Sequence, residues 1–376
     1  MNKKKILCFC LALGAFSAMM AQETLSLSQC LQMAVDNNLS LQKSRNEIAK
    51  GKYSISENQA KLLPQINAVA QLNDNFTPPV SVTDGSAYGK PYNVTKTLQY
   101  NASAGLQLQM PLYNQMVNTA IDIAKIADHL NQLSYEKARE DLIVQTAKMY
   151  YMAQNTAEQI RLVNDNIKRL EELYGITQAF YDNQMSLEVD VKRVKLNIEN
   201  LTVQRDNAIA MLDQQYTMLK YVIDYPADKQ IKVSEVNPGE IETVNANGLN
   251  THLYELQLLE KRKELAQKQT KLAKDGYLPS VSLTGSLMYS AFTDKIEHWI
   301  HSGESNHWYG SNGIGIQLRV PVFDGFEKRS KIRRAKMEEE NARIGYEDAL
   351  KGMQANYMNA VSEVNNSQRN YKKQFD

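Results

Sequence analysis

Cysteine is close to absent: three occur among 376 residues. Cys8 and Cys10 lie inside a short apolar run near the N-terminus, not after a small residue at its end, where a lipidated cysteine would sit. Only Cys30 remains beyond that run, so a disulfide framework is excluded. It falls on the apolar side of a helical pattern and reads as a small buried hydrophobe. Glycine and proline are scarce, at 17 and 9, which excludes a loop-rich or disordered chain. Charge of one sign is also lacking. A net charge of +1 with 23% charged residues argues against a nucleic-acid partner, which calls for a basic excess. No run beyond the N-terminal one is apolar enough for a helical span of ~20 residues. There is no nucleophile elbow, P-loop, CxxC pair or HExxH, so no enzyme chemistry and no cofactor is implied.

What is present begins with an address. "MNKKKILCFCLALGAFSAMMAQ" carries three lysines, an apolar run and small residues. That order predicts a signal peptide over 1–21, cleaved after Ala21. The mature chain is then exported without a helical route into a membrane.

Beyond it, helical and strand patterns alternate. From Ser28, the expected N-cap, to Leu63 the apolar spacing is helical, and Pro64 ends it. "QINAVAQLNDNF" alternates with period two, as a strand does. Pro, Gly, Asp and Ser mark 77–96 as a loop. "LQYNASAGLQLQM" alternates again, and "MPLYN" leads into a helical pattern from about Asn114 to Tyr174. A helix of roughly 60 residues would be about 90 Å long, far beyond a globular domain. A second helix, Leu187 to Val222, carries a seam with alternating steps of three and four, from Val191 through Leu201, Leu212 and Leu219. That is a coiled-coil seam, diluted by Arg205 and Gln215. Residues 223–250 break the pattern and read as a small extended or mixed segment.

Then the programme repeats. A helix over about 251–274 precedes the strand "YLPSVSLTGSLMYSAF", a polar loop, the strand "GIGIQLRV" and a charged helix after Pro321. Pro64 matches Pro279, and Pro111 matches Pro321. These four prolines mark the strand–helix junctions of two copies of one unit, 22–222 and 251–376. The first copy carries two helices after its second strand. The stretch from Pro111 to Asn183, laid from Pro321, runs past Asp376, so the second copy is expected to be incomplete.

The strand faces are polar on one side (Gln, Asn, Ser, Thr, Arg) and apolar on the other. Leu106, Leu108, Leu283, Leu287, Ile316 and Leu318 are the candidate lipid face. Strands of this length suit an outer-membrane barrel, apolar out and polar in. Four cannot close one, and open edges in lipid leave backbone groups unpaired. If the strands enter a membrane, several chains must share one barrel, and three would give twelve strands. The alternatives are a structural or adhesive coiled-coil envelope protein, soluble without detergent, and an enzyme built on the loop "EHWIHSGESNH". There Glu297, His298, His301, Glu304 and His307 have spacing that would suit a metal. Trp299, Trp308 and Tyr309 read as interfacial or loop-packing aromatics.

With these residues in place, the mature chain resembles the TolC family of trimeric outer-membrane efflux ducts. "LSLSQCLQMAVDNNLSLQ" looks like the family's first helix. "KLLPQI" and "YLPSV" look like its helix-to-strand junctions. "MPLYN" and "VPVFDG" look like its strand-to-helix junctions, with Asn114 and Gln115 replacing the second copy's Asp324 and Gly325. "YDNQMSLEVDVKRV" looks like its periplasmic helix-hairpin tip, where a Gly, a small residue and an Asp-Val pair are usual. Asp190 and Val191 match the pair. Gln184 stands where Gly is usual, so Asn183 is expected to take the left-handed conformation instead. The resemblance implies a mainly α fold with a membrane β part: a helical barrel of long coiled-coil helices, continuous with a shared 12-stranded barrel. It implies a homotrimer in outer-membrane lipid, with the helical barrel in the periplasm, exporting small molecules or serving type I secretion. It also implies a periplasmic adaptor docked at the tip (Asn183, Gln184, Ser186, Asp190, Val191) and an inner-membrane RND or ABC transporter.

Overall fold

In the computed structural model, residues 23–235, 248, 252–295 and 308–375 are described. They divide into two units: Met1–Ile48, Gln132–Glu255 and Met353–Asp376 in one, Ala49–Asn131 and Leu256–Gly352 in the other. The expected signal peptide and the acidic–histidine loop lie outside the described residues. No described helix is long and apolar enough to cross a membrane.

The first unit opens on a strand the sequence pattern did not reveal. β1 (Glu23–Leu25) pairs in parallel with β6 (Ile231–Val233), a strand within the segment after residue 223. The first helix, α1 (Leu27–Asn37), is capped by Ser26, not Ser28. Ser26 Oγ accepts from the Gln29 amide, and Gln29 Oε1 accepts from the Ser26 amide at 2.8 Å. This capping box satisfies two amides reciprocally, an advantage Ser28 does not have.

The single expected helix also breaks at Asn38, before α2 (Leu39–Ala60). Asn38 Oδ1 accepts from the amides of Ser40 and Leu41, and its Nδ2 donates to the Val222 carbonyl at 3.0 Å. One side chain therefore caps a new helix and ties it to another.

The core packs Leu25, Cys30, Ala34, Tyr150, Ala153, Leu219, Ile223, Ile231 and Val233 together. Burial pushes the Cys30 thiol up to about 11, so it stays protonated and inert, as a small hydrophobe should. The Tyr150 hydroxyl lies 3.1 Å from the Leu25 carbonyl and accepts from the Ser234 amide at 3.1 Å, pinning both strands.

The hairpin of this unit joins α3 (Gln115–Asp182, whose 132–182 part lies here) to α4 (Glu188–Val222). α3 runs past Tyr174, its expected end, continuing through Gly175 to Asp182. Every position of the expected α4 seam, Arg205 and Gln215 included, is buried or half-buried. The sequence period therefore identified the packed stripe correctly.

The second unit holds one four-stranded antiparallel sheet: β2 (Gln65–Asp74), β5 (Tyr100–Tyr113), β7 (Ser280–Thr293) and β8 (Trp308–Arg319), in that spatial order. The expected loop at 77–96 is instead a hairpin of β3 (Val80–Asp84) and β4 (Tyr92–Lys96). Its Pro and Gly residues flank or turn the strands rather than dissolve them. Asp84 caps the intervening turn through the Ser86 amide at 2.9 Å.

Helix α5 (Tyr254–Asp275) packs on the N-terminal part of α3. Thr119 Oγ1 donates to Asp275 at 2.5 Å, and Lys268 pairs with Asp122 at 2.8 Å. The last helix, α6, covers Glu327–Phe375.

The four junction prolines behave as two pairs. Before Pro64, the Leu62 and Leu63 amides bond back three residues to Gln59 and Ala60; before Pro279, Tyr277 and Leu278 do the same to Lys274 and Asp275. The strand-to-helix pair differs. Pro111 lies inside β5, whose register slips between Pro111 and Tyr113, whereas β8 has already ended before Pro321. A proline tolerated at a bulge does not terminate a strand.

Candidate functional site

In the second unit, register decides which side chains share a sheet face, because paired residues point the same way. Leu106 pairs with Ala68 and Leu287, Leu108 with Ile66, Leu283 with Met110 and Ile316, and Leu318 with Val281. All six expected lipid-face residues therefore lie on one mainly apolar face, which Asn312 interrupts opposite Leu287. Ile316 and Leu318 are 71% and 63% exposed, so nothing among the described residues covers them.

The opposite face pairs Gln107 with Asn67 and Ser286, Gln109 with Gln65 and Thr284, and Gln317 with Ser282. Gly105 sits on this polar face because there is no room for more: an added Cβ would lie 2.1 Å from the Leu287 carbonyl oxygen.

Only Asp74 and Arg319 of the four strands carry formal charges. They stand at opposite ends, since Asp74 pairs with Tyr100, Tyr100 with Thr293, and Arg319 with Ser280. A charge-free middle flanked by charged ends suits a slab of hydrocarbon. Trp308 begins β8 opposite Ala291 at the Asp74 end, the place for an interfacial aromatic. The two outer strands, β2 and β8, each have one edge with no strand beside it among the described residues.

The junctions at the other end carry matching caps three residues after each proline. Asn114 accepts from the Val117 amide, and Asp324 accepts from the Lys328 amide at 3.1 Å. The Lys328 ammonium, 2.9 Å from Asp324, holds that carboxyl below the usual carboxylate range. Gly325 and Phe326 take positive φ of 64° and 67°, a backbone the first copy does without.

In the first unit, the tip between α3 and α4 turns at Gln184, whose φ is 60°. Asn183, the expected left-handed residue, instead continues the helix, its amide and Nδ2 both donating to the Ala179 carbonyl. The left-handed residue thus sits where glycine is usual. The Met185 amide closes the turn on the Phe180 carbonyl at 2.8 Å, and Ser186 Oγ donates to the Thr177 carbonyl. Glu188 and Asp190 occupy the first turn of α4, favourable at a helix N-terminus. Val191 is buried inside the hairpin and holds it together rather than facing outward.

Residues the motif did not single out form the outward surface: Met185, Leu187 and Val189 are 72%, 71% and 59% exposed. Their signal was available, as three apolar residues alternating across a turn between polar helices.

Among the described residues, no group of three or more His, Cys, Asp or Glu is placed to hold a metal. The expected candidates, Glu297, His298, His301, Glu304 and His307, lie outside them.

Comparison with known proteins places these features together. The sequence profile of outer membrane efflux proteins matches residues 30–219 and 254–374. Outer membrane protein TolC of Escherichia coli is 23% identical over 368 residues, covering 95% of this chain and 71% of that one. The toluene efflux pump outer membrane protein TtgC of Pseudomonas putida is 20% identical over 342 residues, covering 86% and 65%. Among solved structures, the outer membrane protein VceC of Vibrio cholerae superposes with a TM-score of 0.70 at 16% identity, over 91% of this chain and 79% of that one. The Campylobacter jejuni CmeC outer membrane channel gives 0.65 at 18% identity, over 92% and 74%.

Proposed function

The chain belongs to the outer membrane efflux protein family, and from that premise we propose that three copies close one barrel and so form an outer-membrane exit duct. As a family member the chain is an efflux channel of the outer membrane. The observation that carries the shared barrel is the register-matched apolar face bounded by two open edges.

One copy's β2 pairs with the next copy's β8, which removes every edge. Two copies would supply eight strands, and a barrel of about eight is filled by its own side chains. Three supply twelve and leave a polar, water-filled lumen lined by Gln, Asn, Ser and Thr. Exposed apolar residues along the helices, among them Leu162, Ile176, Leu196 and Val203, then pack against neighbouring copies. The two repeats, 22–222 and 251–376 around the segment 223–250, supply equivalent strand pairs.

The tip serves as the dock for a periplasmic adaptor. Met185, Leu187 and Val189 give the apolar contact, and Glu188 and Asp190 set its polarity. Gln184, Asn183 and Ser186 shape the turn. An inner-membrane transporter of the RND or ABC class drives solutes into the duct. Relatives named as efflux pump components support this arrangement.

Light scattering of the detergent-purified protein tests the barrel. Three chains per particle, with heat-dependent gel mobility, is the expected result. A monodisperse single chain overturns it.

A further inference from the structure

At the helix-proximal end of the sheet, the polar face carries a cavity of about 260 Å³. Lys61 and Arg319 line it, together with Gln65, Gln109, Gln317 and Ser282. None of its described lining residues is acidic. Two cations and several neutral hydrogen-bond donors face one space. We propose that this is a binding and selectivity site for oxyanions, so that solutes bearing carboxylate or phosphate are favoured at the junction of barrel and helices.

The placement follows from topology. Arg319 pairs with Ser280 at the end of β8, on the same face as Gln317 and Ser282. Lys61 lies in the turn that delivers α2 into β2, next to Gln65. The rest of the polar face is uncharged, so these two residues dominate the local field. Lys61 Nζ donates to Asn58 Oδ1 at 2.9 Å, a neutral partner that leaves its charge uncompensated. No carboxylate forms an ion pair with Arg319 among the described residues at 4.0 Å or less.

Arginine's planar fork matches a carboxylate or phosphate, and the glutamine amides donate without adding charge. This inference rests on the polar face lining a lumen. There, three copies bring six cations to one ring. An anion passing about 8 Å from a single cation in water gains roughly 0.5 kcal/mol, about a twofold preference. At 0.15 M salt the Debye length is about 8 Å, so the ring still acts across part of the pore.

The test uses the full chain in planar bilayers under a KCl gradient. The chloride-to-potassium permeability ratio should fall at least about twofold in Arg319→Gln/Lys61→Gln, and Arg319→Lys should preserve it. Inorganic pyrophosphate added on the helical side should reduce the wild-type current and act less on the double variant. A conducting channel whose ratio does not move, or a wild-type current that pyrophosphate does not touch, overturns the oxyanion site and leaves the barrel standing. A wild-type protein that never conducts overturns the barrel and this inference with it.

Discussion

Replacing Leu106 by arginine should abolish assembly, whereas replacing its neighbour Gln107 by arginine should not. Leu106 is the seventh residue of the 14-residue β5, so it stands near the middle of the span. Its paired neighbours are Ala68 and Leu287, and it is 46% exposed in the single chain. A cation on the lipid face at mid-bilayer costs roughly 2–4 kcal/mol in such barrels. Three copies per barrel raise that to about 6–12 kcal/mol if the sites act independently, comparable to the whole stability of a typical domain. Gln107 lies between Asn67 and Ser286 on the other face, where an arginine meets water. Outer-membrane fractions run on gels with and without heating read the outcome. Leu106→Arg should show monomer only, or no protein in the membrane fraction. Gln107→Arg should show the heat-sensitive oligomer at wild-type level. Equal behaviour of the two, or the reverse order, would refute the assignment of faces.

Three further outcomes follow from the first unit and the α3–α5 contact. Tyr150→Phe removes the hydroxyl's bonds to the Leu25 carbonyl and the Ser234 amide, which then keep only their 3.3 Å bond to each other, and should cost about 0.5–1.5 kcal/mol in thermal or denaturant unfolding; a variant as stable as the wild type would mean the hydroxyl does not tie the strands. Gln184→Gly relieves a left-handed backbone worth roughly 1–2 kcal/mol and should raise the melting temperature, while Gln184→Val should lower it. The Lys268 hydrogen bond holds Asp122 below the usual carboxylate range, so its contribution is present above about pH 3.9 and is lost as pH falls through the lower folded value; Asp122→Asn should therefore destabilise at neutral pH and match the wild type in strong acid, and a deficit that persists in strong acid would place the effect elsewhere.

The sheet was legible because its faces differ. Alternation over ten or more residues identifies a strand and its sides without any knowledge of partners, and pairing then put all six expected apolar residues on one surface. The α4 seam was legible for the same reason, at a different period. Short elements were not. β1 and β6 are three residues each, too short for a period to register, and they exist because Tyr150 and the core around it hold them. The break at Asn38 was hidden because Asn is tolerated in helices. Its Oδ1 caps the Ser40 and Leu41 amides, and its Nδ2 bond to the Val222 carbonyl, 184 positions away, fixes the break in place. At the tip, the motif located the turn but selected the wrong left-handed residue and overlooked the exposed apolar trio. A family pattern names positions, and solvent exposure decides which of them face outward.

The duplicated junction shows how far a shared motif constrains geometry. Both helix-to-strand turns use the same pair of three-residue hydrogen bonds before proline, because Pro64 and Pro279 forbid a further helical turn in the same way. Both strand-to-helix turns put an Asx cap three residues after proline. There the likeness ends. With Asn114 followed by Gln115 the helix starts at once, whereas Asp324 is followed by two left-handed residues before α6 begins at Glu327. Glycine takes that backbone without penalty, but Phe326 does not. Its cost is offset by an edge-to-face contact with Phe323, the ring centroids 5.6 Å apart. The two copies therefore leave the sheet through different linkers, although their caps coincide. A barrel assembled from three such chains alternates two kinds of strand-to-helix exit around its rim, six in all, and the Arg319 site is lined by Pro111, Tyr113 and Asn114 of the shorter kind.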